Sequence, residues 1–354
     1  MSNDSILIPQ AIKLSEYFKT VYSKFEASSL SVRDHLDLAG FTIELSGSSE
    51  ALQAIFLPSL AHLKIQNRDT VEPQLRIWYA DSDGLGALIP EPPFDDFNGV
   101  GLSEKSIEEG YYIYYQPAFH QVFLYSEELR LGIYWTLNLK TIPWWEPTFS
   151  FRIILHWWTK GNSLQLMHAG AVAVDQSGGW LIAGPSGSGK SSTCLTLLTE
   201  GLLYLGDDYV LVKTDPEPAA YTVYQTAKLE PDNLESRFPN FKDLIDNPKT
   251  FQDEKAIFQI FKAFPKSFLA SVKLKGILLP RVNGSLKSNF TSVSPGKAVL
   301  GIAPTTLRHL PHERQNSYQK MRNLANSIPV MEWNLGTDKL DLVRSFLELD
   351  KEYP

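Results

Sequence analysis

The chain has 354 residues, of which 43% are hydrophobic and 21% are charged, and both fractions are typical of a folded globular protein. This length can form two domains of ordinary size. No apolar run approaches the roughly 18 residues of a membrane span, and the polar start of the chain does not resemble a secretory signal. We therefore expect no membrane partner and a cytoplasmic location.

The net charge of −7 is unevenly distributed along the chain. Residues 1–160 carry 12 Lys and Arg against 20 Asp and Glu, whereas residues 161–354 carry 21 against 20. An acidic front half argues against a nucleic-acid partner. Two interpretations of this acidity stay open. It forms a surface that binds a basic peptide or protein, or it is a solvated surface that only keeps the protein soluble.

The front half of the chain predicts an α+β unit. Apolar residues at helical spacing, beginning with Ile12, predict an amphipathic helix over residues 9–27. A second, largely apolar helix is expected over residues 52–63, with an interruption near Pro58. Short apolar and aromatic-rich segments predict strands at 42–45, 75–80, 111–115, 121–125 and 130–137.

A domain boundary is expected near residue 160, where a predicted apolar helix over 151–158 ends at Gly161-Asn162-Ser163. This gives an N-terminal α+β domain of unknown role at 1–160 and a C-terminal α/β domain at 161–354. Adjacent tryptophans near this boundary either pack between the domains, which is the commoner role, or stack on a ligand. They are Trp144-Trp145 and Trp157-Trp158.

From residue 164 the pattern changes to short apolar strands, with a helix over 190–200 that contains the single cysteine, Cys194. The predicted strands are 172–174, 180–183, 202–205, 209–212 and 276–280. A glycine-rich segment lies between the second strand and the helix, which is the context that a phosphate-binding loop requires. It fits G-x-x-x-x-G-K-[ST] at every fixed position: Gly184-Pro185-Ser186-Gly187-Ser188-Gly189-Lys190-Ser191.

The parts of this loop have separate physical roles. Its glycines let backbone N–H groups turn towards a polyphosphate, and the following helix directs its positive end at the same anion. Lys190 can reach the β- and γ-phosphate oxygens, and the Ser191 hydroxyl can ligate Mg²⁺. The sequence thus predicts ATP and Mg²⁺ as cofactors. The nucleotide-binding residues are Gly184, Pro185, Ser186, Gly187, Ser188, Gly189, Lys190, Ser191 and Ser192.

Two adjacent aspartates, Asp207 and Asp208, follow the next predicted strand and begin 17 residues after Lys190. A kinase needs carboxylates for its metal and for the proton of the attacking hydroxyl. Because side chains alternate along an extended chain, one aspartate can serve the metal and the other can face the acceptor. An acidic turn without chemistry is the alternative. His168, just before a strand, is by itself more typical of a packed core or edge residue.

Three blocks of residues together resemble the catalytic domain of the HPr kinase/phosphorylase family: His168 to Val174, Gly184 to Ser191, and Gly206-Asp207-Asp208. The loop and the aspartates also resemble phosphoenolpyruvate carboxykinase. The resemblance covers residues 160–310, and the first 160 residues do not resemble the usual HPr kinase N-terminal domain. The whole pattern is most similar to the HPr-kinase-like proteins found with asparagine-synthetase-like and lasso-peptide biosynthetic enzymes.

This resemblance implies a role for each matched residue. Asp208 would take the proton of the acceptor hydroxyl. Ser191 and Asp207 would ligate Mg²⁺, and Lys190 and His168 would assist at the phosphates. The resemblance also implies a serine kinase whose acceptor is a small protein or precursor peptide, and self-association into a homo-oligomer.

The chain departs from the family pattern after the aspartates. The acidic segment that supplies a further metal ligand is not recognisable, nor is the loop linked to the reverse, phosphorolytic reaction. Candidates for the further metal ligand are Glu230, Glu235 and Glu254. Three cations could hold a phosphate in the transition state or could be solvated surface residues: Lys228, Lys255 and Arg308.

Three functions therefore stay open. The first is a kinase that phosphorylates a hydroxyl, expected to be a serine of a peptide or small protein. The second is an ATPase or nucleotide switch without an acceptor. The third is a kinase of a small-molecule hydroxyl, with an acceptor pocket between the domains near the tryptophans.

Overall fold

The computed structural model of the protein describes residues 13–66, 71–94, 101 and 108–353. Ile12 and the first residues of the helix predicted over 9–27 lie outside this part of the chain. The described residues form helices and mixed β-sheets, so the protein has a mixed α/β architecture. Within the described residues, no helix combines the length and the apolar character needed to cross a bilayer.

The described residues of the front half form four α-helices and one mixed seven-stranded sheet. The helices are α1 Leu14–Glu26, α2 Glu50–Phe56, α3 Ser82–Leu85 and α4 Arg152–Trp158. The strands are β1 Val32–Leu38, β2 Phe41–Gly47, β3 Lys64–Ile65, β4 Leu75–Asp81, β5 Tyr111–Gln116, β6 Gln121–Ser126 and β7 Leu131–Thr136. Their order in the sheet is β3-β1-β2-β4-β7-β6-β5. The five predicted strands are confirmed. A separate 3₁₀ helix, Leu57–Leu63, follows α2 and carries Pro58 in its first turn, where the interruption was predicted.

Alternating side chains bury both faces of this first sheet. Phe18 of α1 packs on one face, in a cluster that includes Ile133. Phe56 of α2 and Ile154 of α4 pack on the opposite face, in a cluster that includes Tyr79. The front half is therefore a sheet covered by helices on both sides.

The rest of the chain forms a second, nine-stranded sheet and a separate two-stranded ribbon. The strands are β8 Leu164–Met167, β9 Ala169–Asp175, β10 Gly178–Ala183, β11 Leu203–Gly206, β12 Val210–Lys213, β13 Ala219–Thr222, β14 Thr226–Leu229, β15 Ala256–Gln259, β16 Ser271–Val282, β17 Asn289–Ser292 and β18 Val330–Leu335. The helices are α5 Lys190–Thr199, α6 Pro231–Arg237, α7 Ile260–Ala263, α8 Pro295–His309, α9 Arg314–Ser327 and α10 Lys339–Glu352.

Strand β16 organises the second sheet, whose main path is β11-β9-β10-β16-β13-β12-β8. It runs parallel to β10 and to β18, so the carboxyl ends of these three strands lie at the same edge. Helices α5 and α10 cover one face of the sheet, and α8 and α9 cover the other. The loop between β10 and α5 lies at that shared edge, which is where open α/β sheets bind ligands.

The two sheets share a hydrophobic cluster that contains residues from both sides of residue 160, among them Trp157 and Tyr209. The indole of Trp157 donates a hydrogen bond to the Pro311 carbonyl over 3.0 Å, and Trp158 is also buried. This tryptophan pair therefore packs between the sheets. Each sheet draws its strands from one side of residue 160, and the division into domains 1–160 and 161–354 stays a prediction.

Candidate functional site

The glycine-rich loop connects β10 to α5 and requires glycine at particular positions. Gly187 and Gly189 have φ values of +79° and +102°, which side chains with a Cβ rarely adopt. A Cβ on Gly189 would also lie 2.7 Å from Leu335 Cδ1 at the end of β18. The loop thus packs closely against the strand ends and leads into α5, whose first N–H groups are free to bind an anion.

The Lys190 ammonium lies inside this loop. Its Nζ donates hydrogen bonds to the carbonyls of Gly184, over 2.8 Å, and Pro185, over 3.1 Å. Burial lowers the pKa of Lys190 below its usual value, although the carboxylate of Asp208 acts in the opposite direction. The Lys190 ammonium is therefore hydrogen-bonded to the same loop backbone that, according to the sequence motif, binds phosphate.

Asp207 is buried at the end of β11, with 1% of its surface exposed. Tyr204 donates a hydrogen bond from its hydroxyl to Asp207 Oδ1 over 3.0 Å. Burial, followed by the charge of Asp208, raises the pKa of Asp207 above its usual value, and hydrogen bonds from Ser191 and Tyr204 act against that rise. The second oxygen, Oδ2, is buried and accepts no hydrogen bond from any described residue.

Asp207 and Ser191 fit a Mg²⁺ site. An unpaired, buried carboxylate oxygen beside the hydroxyl at the start of α5 is the oxygen chemistry that Mg²⁺ prefers. Magnesium is usually bound by one or two carboxylates together with substrate phosphates, so a larger protein cluster is not required. Among the described residues, no group of three or more His, Cys, Asp or Glu side chains is arranged to hold a metal ion.

Asp208 lies between two positively polarised groups. Its Oδ1 is 3.0 Å from His168 Nε2, and its Oδ2 is 3.3 Å from Lys228 Nζ. Burial opposes its ionisation, but Lys228 and the His168 hydrogen bond outweigh that effect and hold its pKa well below the usual range. The Asp208 side chain keeps 19% of its surface exposed, so a substrate hydroxyl can reach it, whereas Asp207 is closed to solvent.

Lys228 is fixed by aromatic side chains as well as by Asp208. Its Nζ lies 3.9 Å from the centre of the Phe149 ring and 5.8 Å from that of Trp144. Burial lowers its pKa, with Asp208 acting in the opposite direction and the charge of Lys255 adding to the decrease. Lys255 similarly lowers the pKa of Lys190, so its positive charge acts on both of these lysines.

The candidate cations and carboxylates named from the sequence have different surroundings in the structure. Lys228 is in direct contact with Asp208, and Lys255 pairs with Glu230 over 2.7 Å. Glu254 accepts a hydrogen bond from the Thr250 hydroxyl over 2.7 Å. Glu235 lies on α6, and Arg308 lies in the last turn of α8.

Sequence reasoning missed the residues that support His168. The His309 ring contacts the His168 ring at a centroid distance of 4.9 Å, and the Tyr209 hydroxyl lies 3.1 Å from His309 Nδ1. Burial, followed by the charge of His168, lowers the pKa of His309 to about 4, so its ring is neutral near pH 7. The position of Tyr209 directly after the two aspartates was the one available signal; His309 gave none, because α8 meets β8 only in the folded chain.

The chain is similar to proteins of known structure. A search of solved structures aligns the chain with the Hpr(Ser) kinase/phosphatase from Coxiella burnetii, at 14% identity and a TM-score of 0.30, over 53% of this chain and 96% of that chain. No protein-family model and no curated protein matches the chain. A similarity of this size carries no inference about the reaction of this protein.

Proposed function

We propose that this protein is an ATP- and Mg²⁺-dependent kinase of the HPr-kinase-like type, which transfers the γ-phosphoryl group to a serine hydroxyl on a peptide or small protein. One observation carries this proposal above the others. Asp208 is an accessible carboxylate that is paired with His168 and Lys228, and its charge acts on Lys190 of the glycine-rich loop. A carboxylate at that position can accept the proton of an acceptor hydroxyl.

The loop and the buried carboxylate would bind the metal-nucleotide complex. The backbone from Gly184 to Ser192 would surround the phosphates, with Lys190 neutralising their oxygens. Ser191 and Asp207 would hold Mg²⁺, which, when bound, neutralises charge on the phosphate oxygens. Asp207 suits this role because a metal ion would satisfy its unpaired oxygen.

Asp208 would orient the acceptor hydroxyl and take its proton. Its low pKa keeps it ionised at neutral pH, so it is a hydrogen-bond acceptor before the reaction begins. In phosphoryl transfer the proton moves late, and positioning of the hydroxyl contributes more than basicity. The proton would pass to Asp208 as the new oxygen–phosphorus bond forms and ADP leaves.

His168 and Lys228 would hold Asp208 in place, and Lys228 would also neutralise charge on the transferred group. Both contact the carboxylate directly. A fixed cation in a site with little water stabilises developing negative charge strongly. The cytoplasmic location and the homo-oligomer remain predictions from the sequence and the family resemblance.

Transfer of radiolabelled γ-phosphate tests the proposed function. Purified protein, [γ-³²P]ATP and Mg²⁺ are incubated with serine-containing peptides and, separately, with a pool of small hydroxyl metabolites. Label in the peptides supports the proposal. Label only in a metabolite would instead establish a small-molecule kinase, and free phosphate alone would establish an ATPase or switch.

A further inference from the structure

One segment of the front half reaches the candidate site. It is the 3₁₀ helix Glu146–Phe149, which follows the first sheet in the chain and precedes α4. Its last residue, Phe149, is buried, and the centre of its ring lies 3.9 Å from Lys228 Nζ. Lys228 belongs to β14 and pairs with Asp208. The surroundings of Asp208 therefore include residues from both sides of residue 160.

A hydrogen bond beside Phe149 fixes this segment against β14. The hydroxyl of Thr226 donates to the carbonyl of Thr148 over 2.6 Å, and both residues are buried. Side chains alternate along a strand, so Thr226 and Lys228 project from the same face of β14. The residue that follows Thr148 is thereby held next to the residue two positions after Thr226. The contact between Phe149 and Lys228 is thus set by the pairing of the two segments.

Two tyrosines hold the ring of Phe149. The ring centre lies 4.8 Å from that of Tyr209 and 5.5 Å from that of Tyr224, and both pairs have the edge-to-face geometry that aromatic rings prefer. Tyr224 also donates from its hydroxyl to the carbonyl of Ser150 over 3.1 Å. Tyr209 directly follows Asp208 in the chain. Phe149 therefore contacts both the residue after the proposed base and the lysine that pairs with that base.

The face of this ring is a suitable partner for a buried ammonium. Burial disfavours the positive charge of Lys228, and among the described residues Asp208 is the carboxylate that pairs with it. The face of an aromatic ring carries negative potential and attracts a cation within about 6 Å, more strongly where water is excluded. Phe149 meets this distance, so its ring offsets part of the cost of burying the ammonium.

An uncharged partner has a particular value in the proposed mechanism. A second carboxylate beside Lys228 would also stabilise the ammonium, but it would cancel the charge that remains after pairing with Asp208. The ring of Phe149 has no net charge, so it holds the ammonium and leaves its positive charge to act on a phosphoryl group. A fixed cation with an uncancelled charge is what stabilises developing negative charge during transfer.

We propose that Phe149 is a positioning residue for phosphoryl transfer, and that its ring face holds the Lys228 ammonium beside Asp208. Phe149 acts through Lys228 and needs no contact with the nucleotide or the acceptor. The front half of the chain thereby completes the catalytic site of the back half. This inference rests on the proposed function, which gives Lys228 its role in transfer.

Fluorinated phenylalanines in place of Phe149 test the ring face with little change of shape. Each added fluorine withdraws electron density from the face and so weakens its attraction for a cation. The full-length chain is made with one, two or three fluorines on this ring, and the same series at Phe123, which is buried in β6, is the control. Single-turnover transfer from [γ-³²P]ATP to serine-containing peptides is measured, together with nucleotide Kd and melting temperature.

The transfer rate should fall with each fluorine on Phe149, by roughly 10-fold over the series, with an unchanged nucleotide Kd. The series at Phe123 should keep the wild-type rate. A constant rate across the Phe149 series would overturn the inference, whatever the melting temperatures, because a purely structural ring does not depend on its electron density. Absence of transfer by the wild-type protein would reject the proposed function itself, and this inference with it.

A double-mutant cycle tests whether the ring acts through Lys228. Phe149→Leu keeps an apolar side chain and removes the ring face. It should lower the transfer rate by roughly 10-fold in the wild-type background and have little further effect in Lys228→Met, where the cation is absent. The same decrease in both backgrounds would mean that Phe149 acts independently of Lys228 and would contradict the proposal.

Discussion

Lys228 and Asp208 form an ion pair in which Nζ lies 3.3 Å from Oδ2 and 3.9 Å from the centre of the Phe149 ring. The pair joins the separate ribbon of β14 and β15 to the end of the main sheet. Breaking it would remove one of the two groups that hold the pKa of Asp208 low against the effect of burial. The position of this lysine therefore affects both the charge of Asp208 and the charge felt by a phosphoryl group.

Lys228→Met should lower the rate of phosphoryl transfer by roughly 100-fold, the scale seen when one preorganised charge-stabilising group is removed. Nucleotide affinity should fall much less. Lys273→Met, at an exposed lysine paired with Glu217, is the control and should keep wild-type transfer. Equal rates for the two variants would exclude Lys228 from the mechanism.

Lys190→Ala should abolish transfer while leaving the fold intact, because Lys190 lies on the loop that binds the phosphates. The loss in the transition state should be roughly 3 kcal/mol or more. Circular dichroism and thermal melting check the fold, and single-turnover kinetics measure transfer. Near-normal turnover by a correctly folded variant would remove the loop from the mechanism.

Nucleotide binding should depend on Mg²⁺, and Ser191→Ala should weaken that dependence, because the Ser191 hydroxyl lies at the start of α5 beside Asp207. Isothermal titration with Mg²⁺ and with EDTA measures the difference. The same affinity in both conditions for the wild-type protein would argue against a Mg-nucleotide site.

Stability should fall as the pH decreases from about 6.5 towards 4, in part because of His156. Burial lowers the pKa of this histidine to about 4, so the unfolded chain binds the proton first and acid favours unfolding. The contribution at pH 5 is about 2 kcal/mol. Denaturant unfolding at pH 7 and pH 5 should show a smaller loss for His156→Leu than for the wild type. Equal losses would mean that His156 is not neutral in the folded protein.

The sequence was most informative where structure is local. The loop, α5 and the adjacent strands follow from residues that are neighbours in the chain, and their predicted bounds agree with the structure within a few residues. Strand β1 was not predicted, because Arg33, Asp34 and Asp37 interrupt its apolar pattern. These charges are tolerated since Asp34, for example, pairs with Lys64 over 2.6 Å.

The site was only partly predictable for a related reason. Lys228 and His309 reach Asp208 and His168 through pairings of elements that are far apart in the sequence. Nothing near Lys228 distinguishes it from Lys255 in the sequence. The two lysines are set apart only by the folded ribbon, because the antiparallel register of β14 with β15 places Lys228 opposite Ile257 and not opposite Lys255.

In the proposed mechanism, Asp208 is the base and Asp207 is a ligand of Mg²⁺. Asp208→Asn nearly preserves shape but cannot accept a proton, so the loss should fall on turnover and not on nucleotide affinity. Asp207→Asn should instead weaken binding of the metal-nucleotide complex, because a neutral amide holds Mg²⁺ less well than a carboxylate. Asp243→Asn, at an exposed position, serves as the control.

The most direct measurement is therefore single-turnover transfer of γ-phosphate, with nucleotide Kd measured in parallel, for Asp208→Asn and Asp207→Asn. We predict that Asp208→Asn abolishes transfer and keeps wild-type nucleotide affinity. If Asp207→Asn alone abolished transfer with affinity intact, the base would be Asp207 and the roles assigned to the pair would be reversed. Wild-type transfer by both variants would contradict the kinase mechanism itself.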